Sequence, residues 1–278
     1  MKKFLAVFDG YKMSKSTLEY AVQITRRAGA QLVGVFLDEA IYRSYNLYKV
    51  LTSYENSEEV IKQLDERDRQ KREDAASLFQ KTCDKNGVKF SIHRDKGIAI
   101  QELKHESMFA DLIIINKTET FSNSREKPPT RFIRDLLTDV QCPVLLVPAN
   151  YTNVKKVTML YDAGPSSVYA IKMFSYLFND VMDLPVEVFT VNENMSSPRL
   201  PDNKLIREFM KRHFPSADFK ILKGVAEEQI LGHLRLHKGS ELVVLGAYRR
   251  TEISRWFKIS MADILMKETD IPLFIAHN

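Results

Sequence analysis

Cysteine is nearly absent from this 278-residue chain: Cys83 and Cys142 are the whole complement. Two cysteines make neither a disulfide framework nor a paired CxxC metal site, so a reducing cytoplasm is the expected setting. Long apolar runs are missing too, none approaching the ~18 residues that a membrane-spanning helix requires. The opening Met1-Lys2-Lys3-Phe4-Leu5-Ala6-Val7-Phe8-Asp9 has a shorter apolar stretch than the ~7–15 residues of a secretory leader and no small-residue cleavage site after it. It reads as a buried first strand. One-sided charge is also lacking: 41 Lys and Arg face 36 Asp and Glu, a net charge of +5, with no dense basic tract or aromatic-interleaved patch. That balance describes a mixed solvated surface and argues against a nucleic-acid partner. With 44% hydrophobic and 28% charged residues there is material for a core in each half, and neither disorder nor a fibrous repeat is indicated.

What the sequence does contain is one pattern written twice. Phe4-Leu5-Ala6-Val7-Phe8-Asp9 is echoed by Val157-Thr158-Met159-Leu160-Tyr161-Asp162, each followed by a glycine-bearing loop, with Gly10 and Gly164. Ala110-Asp111-Leu112-Ile113-Ile114-Ile115-Asn116 matches Ser240-Glu241-Leu242-Val243-Val244-Leu245-Gly246. Gln141-Cys142-Pro143-Val144-Leu145-Leu146-Val147 matches Asp270-Ile271-Pro272-Leu273-Phe274-Ile275-Ala276. These are continuous Val, Ile and Leu runs without polar alternation, the signature of parallel strands covered by helices on both faces.

Between the runs, apolar residues recur at helical spacing: Leu18, Ala21, Val22 and Ile24 after a capping Ser14 or Ser16, and Ala170, Ile171, Phe174 and Leu177 in the second half. Alternating strand and helix predicts right-handed βαβ units. Five strands are expected near 3–8, 31–37, 88–93, 112–116 and 144–148, and five more near 155–161, 186–191, 218–222, 242–246 and 272–276. The seam falls in the polar Pro148–Asn153 linker, dividing the chain into units 1–150 and 151–278. The first unit is longer, which fits a helical insertion over about 40–86 with a long helix near 56–86. Its charged middle offers Asp65–Arg69 and Asp68–Arg72 as i,i+4 pairs on a solvated face. Tyr42, Tyr45, Tyr48 and Tyr54 just before it read as a packed loop rather than a sticky lid.

The strand ending in Asp9-Gly10, the Ala110–Ile115 strand and the closing Cys142-Pro143-Val144-Leu145-Leu146-Val147-Pro148 resemble the universal stress protein family, and the likeness spans both halves. The resemblance implies α/β architecture: two tandem five-stranded parallel-sheet, Rossmann-like domains packed as a pseudo-dimer through their last strands. It also implies that many relatives hold ATP at the carboxyl ends of the strands, where open α/β sheets place ligands. There an aspartate after the first strand faces the adenine or ribose. A Gly-x2-Gly-x9-Gly-Ser/Thr loop after the fourth strand cradles the phosphates, because glycines permit close backbone approach and helix starts attract anions.

In the second half Asp162 and Gly164 keep the first element, while Gly246 and Ser260 keep the ends of the loop. Arg249 and Ile259 replace its other glycines; Arg249 and Arg250 restore positive charge but crowd the cradle. In the first half Asp9 remains, but the loop positions fall on Asn116, Glu119 and Thr130, and an acidic residue opposes phosphate. Pro128-Pro129 alters the loop further.

Chemistry beyond that is sparse. GxSxG, GxxxxGK[ST] and GxGxxG motifs do not occur, and no nucleophile, base and orienter suggest themselves. His233 and His237 stand at i,i+4 spacing, too few for a metal site, and read as surface histidines. Cys142 reads as a core residue; Trp256 and Phe257, with Ile253 and Leu265, read as packing for the last helix. The expectation is a stress-response protein, not an enzyme, that binds a small ligand or protein partner without ATP and without metal. Two alternatives stay open: an ATP or AMP sensor using the second half, and a slow ATPase. A homodimer beyond the internal pair also stays open.

Overall fold

The computed structural model describes residues 1–37, 44–95, 97–178, 183–192, 199–236, 240–247 and 260–277. The first half alternates β1 (Lys3–Asp9), α1 (Lys15–Ala28), β2 (Gln31–Leu37), α2 (Leu47–Ser53), α3 (Ser57–Lys85), β3 (Phe90–Asp95), α4 (Ala99–Ser107), β4 (Leu112–Asn116), α5 (Arg131–Asp139) and β5 (Val144–Val147). The second half continues with β6 (Lys156–Leu160), α6 (Pro165–Phe178), β7 (Val186–Asn192), α7 (Asn203–His213), β8 (Asp218–Lys223), α8 (Ala226–Leu236), β9 (Glu241–Gly246), α9 (Met261–Glu268) and β10 (Leu273–Ala276). Every expected strand is present, displaced by at most two residues at an end.

The strands join in one ten-stranded sheet, ordered β3-β2-β1-β4-β5-β10-β9-β6-β7-β8. Pairing is parallel within each half and antiparallel only at the centre, where Leu146, Leu145 and Val144 face Leu273, Phe274 and Ile275. The two repeats thus meet through their last strands in a pseudo-two-fold arrangement. Strand order reverses beside β1 in one half and β6 in the other, and the loops leaving β1 and β4, or β6 and β9, diverge there and open a crevice.

Alternation along each strand sends side chains into two cores. Phe4, Ala6 and Phe8 join Phe79 of α3 and Phe174 of α6 on one face; Leu5 and Val7 join Leu136 of α5 and Leu265 of α9 on the other. Each core runs through both halves. The long helix docks because Gly34 in β2 leaves room: a Cβ there would lie 2.8 Å from the Phe79 ring. Phe79 in turn meets Phe8, Phe36 and Phe90 at centroid distances of 5.8, 6.0 and 5.7 Å.

Further contacts anchor the linker and join the halves. Ser14 caps α1 through the Thr17 N–H, leaving Ser16 to donate to the Pro148 carbonyl at 2.7 Å. Tyr20 donates to the Thr152 carbonyl at 3.0 Å and accepts from the Thr152 N–H at 3.1 Å. Lys117, buried at the end of β4, reaches the Thr269 carbonyl at 2.5 Å and Asp270 at 2.8 Å.

The insertion departs from expectation. The solvated i,i+4 pairs are replaced: Arg69 joins Glu66 and Glu73, whereas Asp68 is buried and accepts from the Ser44 backbone N–H at 3.0 Å. Arg72 lies 4.4 Å over the Tyr11 ring and donates to its hydroxyl. The helix packs back over the first half, so charges on its inner side find tertiary partners instead of helical neighbours. The packed-loop reading fails for Tyr48 and Tyr54, which are 76% and 54% exposed around α2; Tyr45 donates to Asp65 at 2.6 Å, and Tyr42 lies outside the described residues. No helix of the described residues is long and apolar enough to cross a membrane.

Candidate functional site

Each half presents a cleft at the carboxyl ends of its strands, and the two differ in chemistry. In the second, Leu160, Phe189, Val191, Ile230, Leu245 and Met261 form apolar walls around about 160 Å³, with Asp162, Ser167 and Gly246 at the rim. That is below the ~300–1,000 Å³ of drug-sized pockets and admits a single ring-sized apolar group. Asp162 organises the rim. Its Oδ1 accepts from the Gly164 N–H at 2.8 Å and from the Ser167 hydroxyl at 2.5 Å, fixing the turn into α6. Packing is sufficient to require Gly246, because a Cβ would fall 2.2 Å from the Ser166 carbonyl carbon and 2.6 Å from Ser167 N. The first turn of α6 rests on the end of β9, a close approach that only glycine permits.

The first-half cleft is larger and polar, about 580 Å³, lined by Lys12, Asn116, Thr118, Glu119, Thr120 and Arg125 among others. Asn116 donates to Ser14 at 3.1 Å and accepts from the Thr118 N–H at 2.9 Å. Buried Asp9 accepts from the Tyr11 N–H at 2.8 Å, and its charge opposes the burial that lowers the Arg72 guanidinium below its ordinary value. Glu119 turns back on its own loop, its Oε1 accepting from the N–H groups of Thr120 at 3.0 Å and Phe121 at 3.2 Å. Burial first, and the Asp9 charge second, push this carboxyl up to about 7. The folded state therefore favours the protonated form, so stability present below the unfolded carboxyl range is lost as pH rises through about 7. Glu119→Gln is expected to raise the melting temperature at pH 8 and leave it unchanged at pH 4; equal effects at both pH values would contradict the assignment.

Solved structures of other proteins superpose on nearly the whole chain. A universal stress protein from Archaeoglobus fulgidus DSM 4304 matches over 99% of this chain and 98% of its own, with a TM-score of 0.63 at 14% identity. The chain has the tandem universal stress protein fold. A functionally unknown protein from Pseudomonas aeruginosa PAO1 matches over 100% of this chain and 92% of its own, with a TM-score of 0.59 at 14% identity. No family model matches the sequence, and no curated protein matches it.

In this universal stress protein fold the serine or threonine ending the loop after the fourth strand is a helix cap in both halves. Ser260 accepts from the Ala262 N–H at 3.1 Å, and Thr130 accepts from the Ile133 N–H at 3.2 Å while donating to the Glu119 carbonyl at 2.6 Å. The structure gathers Asp162, Gly164 and Gly246 at one crevice and Asp9, Asn116, Glu119 and Thr130 at the other. Arg249, Arg250, Ile253, Trp256, Phe257 and His237 lie outside the described residues. Cys83 is a buried core thiol, whereas Cys142 is partly buried and packs against the edge of the core; burial pushes each up to about 12.

The surface reading of His233 is overturned. It is 4% exposed, its ring stacks on Phe189 at 4.5 Å, and Nε2 lies 2.7 Å from Glu187. The helix turns this position toward the sheet, where Lys156, Glu187, Lys220 and Glu241 wait on four strands. Sequence reasoning missed that cluster. Its available signal was Lys156, Glu187 and Glu241 standing within or beside strand runs that are otherwise apolar. Among the described residues no three His, Cys, Asp or Glu side chains converge as a metal site.

Proposed function

We propose that this protein serves a universal-stress-protein role by binding rather than catalysis, as two units spanning 1–150 and 151–278, in the cytoplasm. The second-half cleft takes the apolar portion of a small ligand or of a protein partner, with Asp162 at its rim, and ATP is not the ligand. The observation that carries this reading is the state of the first-half loop. The N–H groups of Thr120 and Phe121, rather than standing open to a phosphate, are engaged by the Glu119 carboxyl. A like charge also stands close by in Asp9. An anion entering there meets these two acids beside Lys12 and Arg125, and among the described residues the neighbouring half offers a small cleft with apolar walls.

The test is mass spectrometry of small molecules released from the purified protein, followed by titration calorimetry with Mg-ATP on wild type and Asp162→Ala. The expected result is no stoichiometric nucleotide and no heat at millimolar ATP. A dissociation constant below about 100 μM, roughly −5.5 kcal/mol, lost in Asp162→Ala, would replace this reading with an adenine-nucleotide sensor.

A further inference from the structure

Beneath α8, toward the amino-terminal ends of the second-half strands, a cluster of charged groups surrounds buried His233 and Glu241, away from both clefts' rims. Lys156 at the start of β6 contacts Glu187 of β7 at 3.1 Å and Glu241 of β9 at 3.4 Å. Thr158 donates to Glu241 at 3.1 Å, and Glu241 is 1% exposed. His233 enters from the helix, with Nε2 2.7 Å from Glu187 and Nδ1 3.2 Å from the Lys220 ammonium on β8. An ammonium only donates, so Nδ1 accepts and the ring proton sits on Nε2, the nitrogen nearer the carboxylate.

In that tautomer two lysines balance two glutamates and the imidazole is neutral. A second proton must go on Nδ1, directly against Lys220, leaving excess positive charge at a buried ring. Burial lowers the titration of His233 first of all, and Lys220 and Lys156 lower it further; Glu187 and Glu241 oppose them without prevailing. The remaining charges on α8, Glu227, Glu228 and Arg235, are exposed. On α9, which packs against α8, Lys267 and Glu268 pair with each other at 3.7 Å, and the third charged group is Asp263.

The cluster shares a wall with the second-half cleft. The His233 ring stacks on Phe189 with 27° between planes, and Phe189 lines the cleft. Ile230 and Ala226, one and two turns earlier on the same helical face, line it as well.

We propose that His233 makes this wall acid-sensitive: the neutral imidazole clamps α8 and Phe189 to the sheet, and its protonation against Lys220 loosens both. The response belongs to the wall and needs no ligand, so it stands or falls independently of what the cleft binds. It is tested by hydrogen exchange of the α8 amides in the full chain at pH 8 and pH 5.5, corrected for intrinsic rates. Wild type is compared with His233→Gln, whose amide donates and accepts like the neutral ring but never gains charge. Protection of α8 is expected to fall several-fold, approaching about tenfold, on acidification in wild type and less than twofold in the variant. Unchanged protection in wild type, or an equal loss in both proteins, overturns the proposal. Should the variant not fold, NMR titration of wild type decides: the His233 ring must titrate below the ordinary histidine range with Phe189 resonances moving at the same midpoint. Titration at or above that range, or a silent Phe189, overturns it.

Discussion

Phe274→Ala is expected to destabilise the protein by about 3–5 kcal/mol, the cost of truncating a fully buried aromatic ring and leaving a cavity. Phe274 is 0% exposed in β10, where it faces Leu145 of β5 across the antiparallel seam. Its ring meets Phe174 edge-on at 5.2 Å and Phe178 at 6.3 Å. Phe178 in turn lies 6.1 Å from Phe4 in the first strand of the other half. The cavity therefore opens where both repeats contribute walls, and neither can collapse into it without moving the sheet. Urea unfolding is the check, with both halves expected to melt in one transition at a lower midpoint and an unchanged slope. A loss below 1 kcal/mol, or a first half that stays folded while the second melts, would contradict a shared core.

Lys156→Met is expected to cost a similar amount at pH 8, about 3–5 kcal/mol, because removing one member of a buried charge group strands its partners. Glu187 and Glu241 both lose the ammonium that now sits between them at 3.1 and 3.4 Å. Two ionised carboxylates left together without the ammonium repel each other, so the defect is expected to be largest where both are charged. The defect should shrink between pH 8 and pH 5. Adding Glu241→Leu should recover much of the loss at pH 8, since an apolar replacement removes the uncompensated charge. Chemical unfolding of the single and double variants at both pH values measures this, and a pH-independent defect would show that lost packing, not charge, dominates.

The fold was legible for a simple reason. Strands such as Leu112–Asn116 and Glu241–Gly246 are buried on both faces, so nearly every residue in them is apolar and the run announces itself without tertiary information. Repetition of three such blocks in one order then implied two copies of one topology. The pairing of β5 with β10 followed from the family resemblance, and the structure bears it out. The capping roles of Ser14, Thr130 and Ser260 were partly legible, because a cap acts within three residues of itself.

The candidate sites were legible only as positions. Asp9, Asn116 and Glu119 stood at strand ends, but that Glu119 engages its own loop depends on a local turn in which Phe121 takes a left-handed φ of 46°. Gly246 looked like the start of a phosphate loop, whereas the backbone of α6 pressing on it is a sufficient reason for the glycine.

By itself, then, the sequence determined the strands, the duplication and the apolar cores, because hydrophobic burial is written into the periodicity of neighbouring residues. Only the tertiary structure decided which charges meet. Arg72 left its helical neighbours for Tyr11, and His233 turned inward to Glu187 and Lys220. Those partners come from separate elements, and an ion pair depends on distances of a few ångströms that exist only once helices have settled on the sheet.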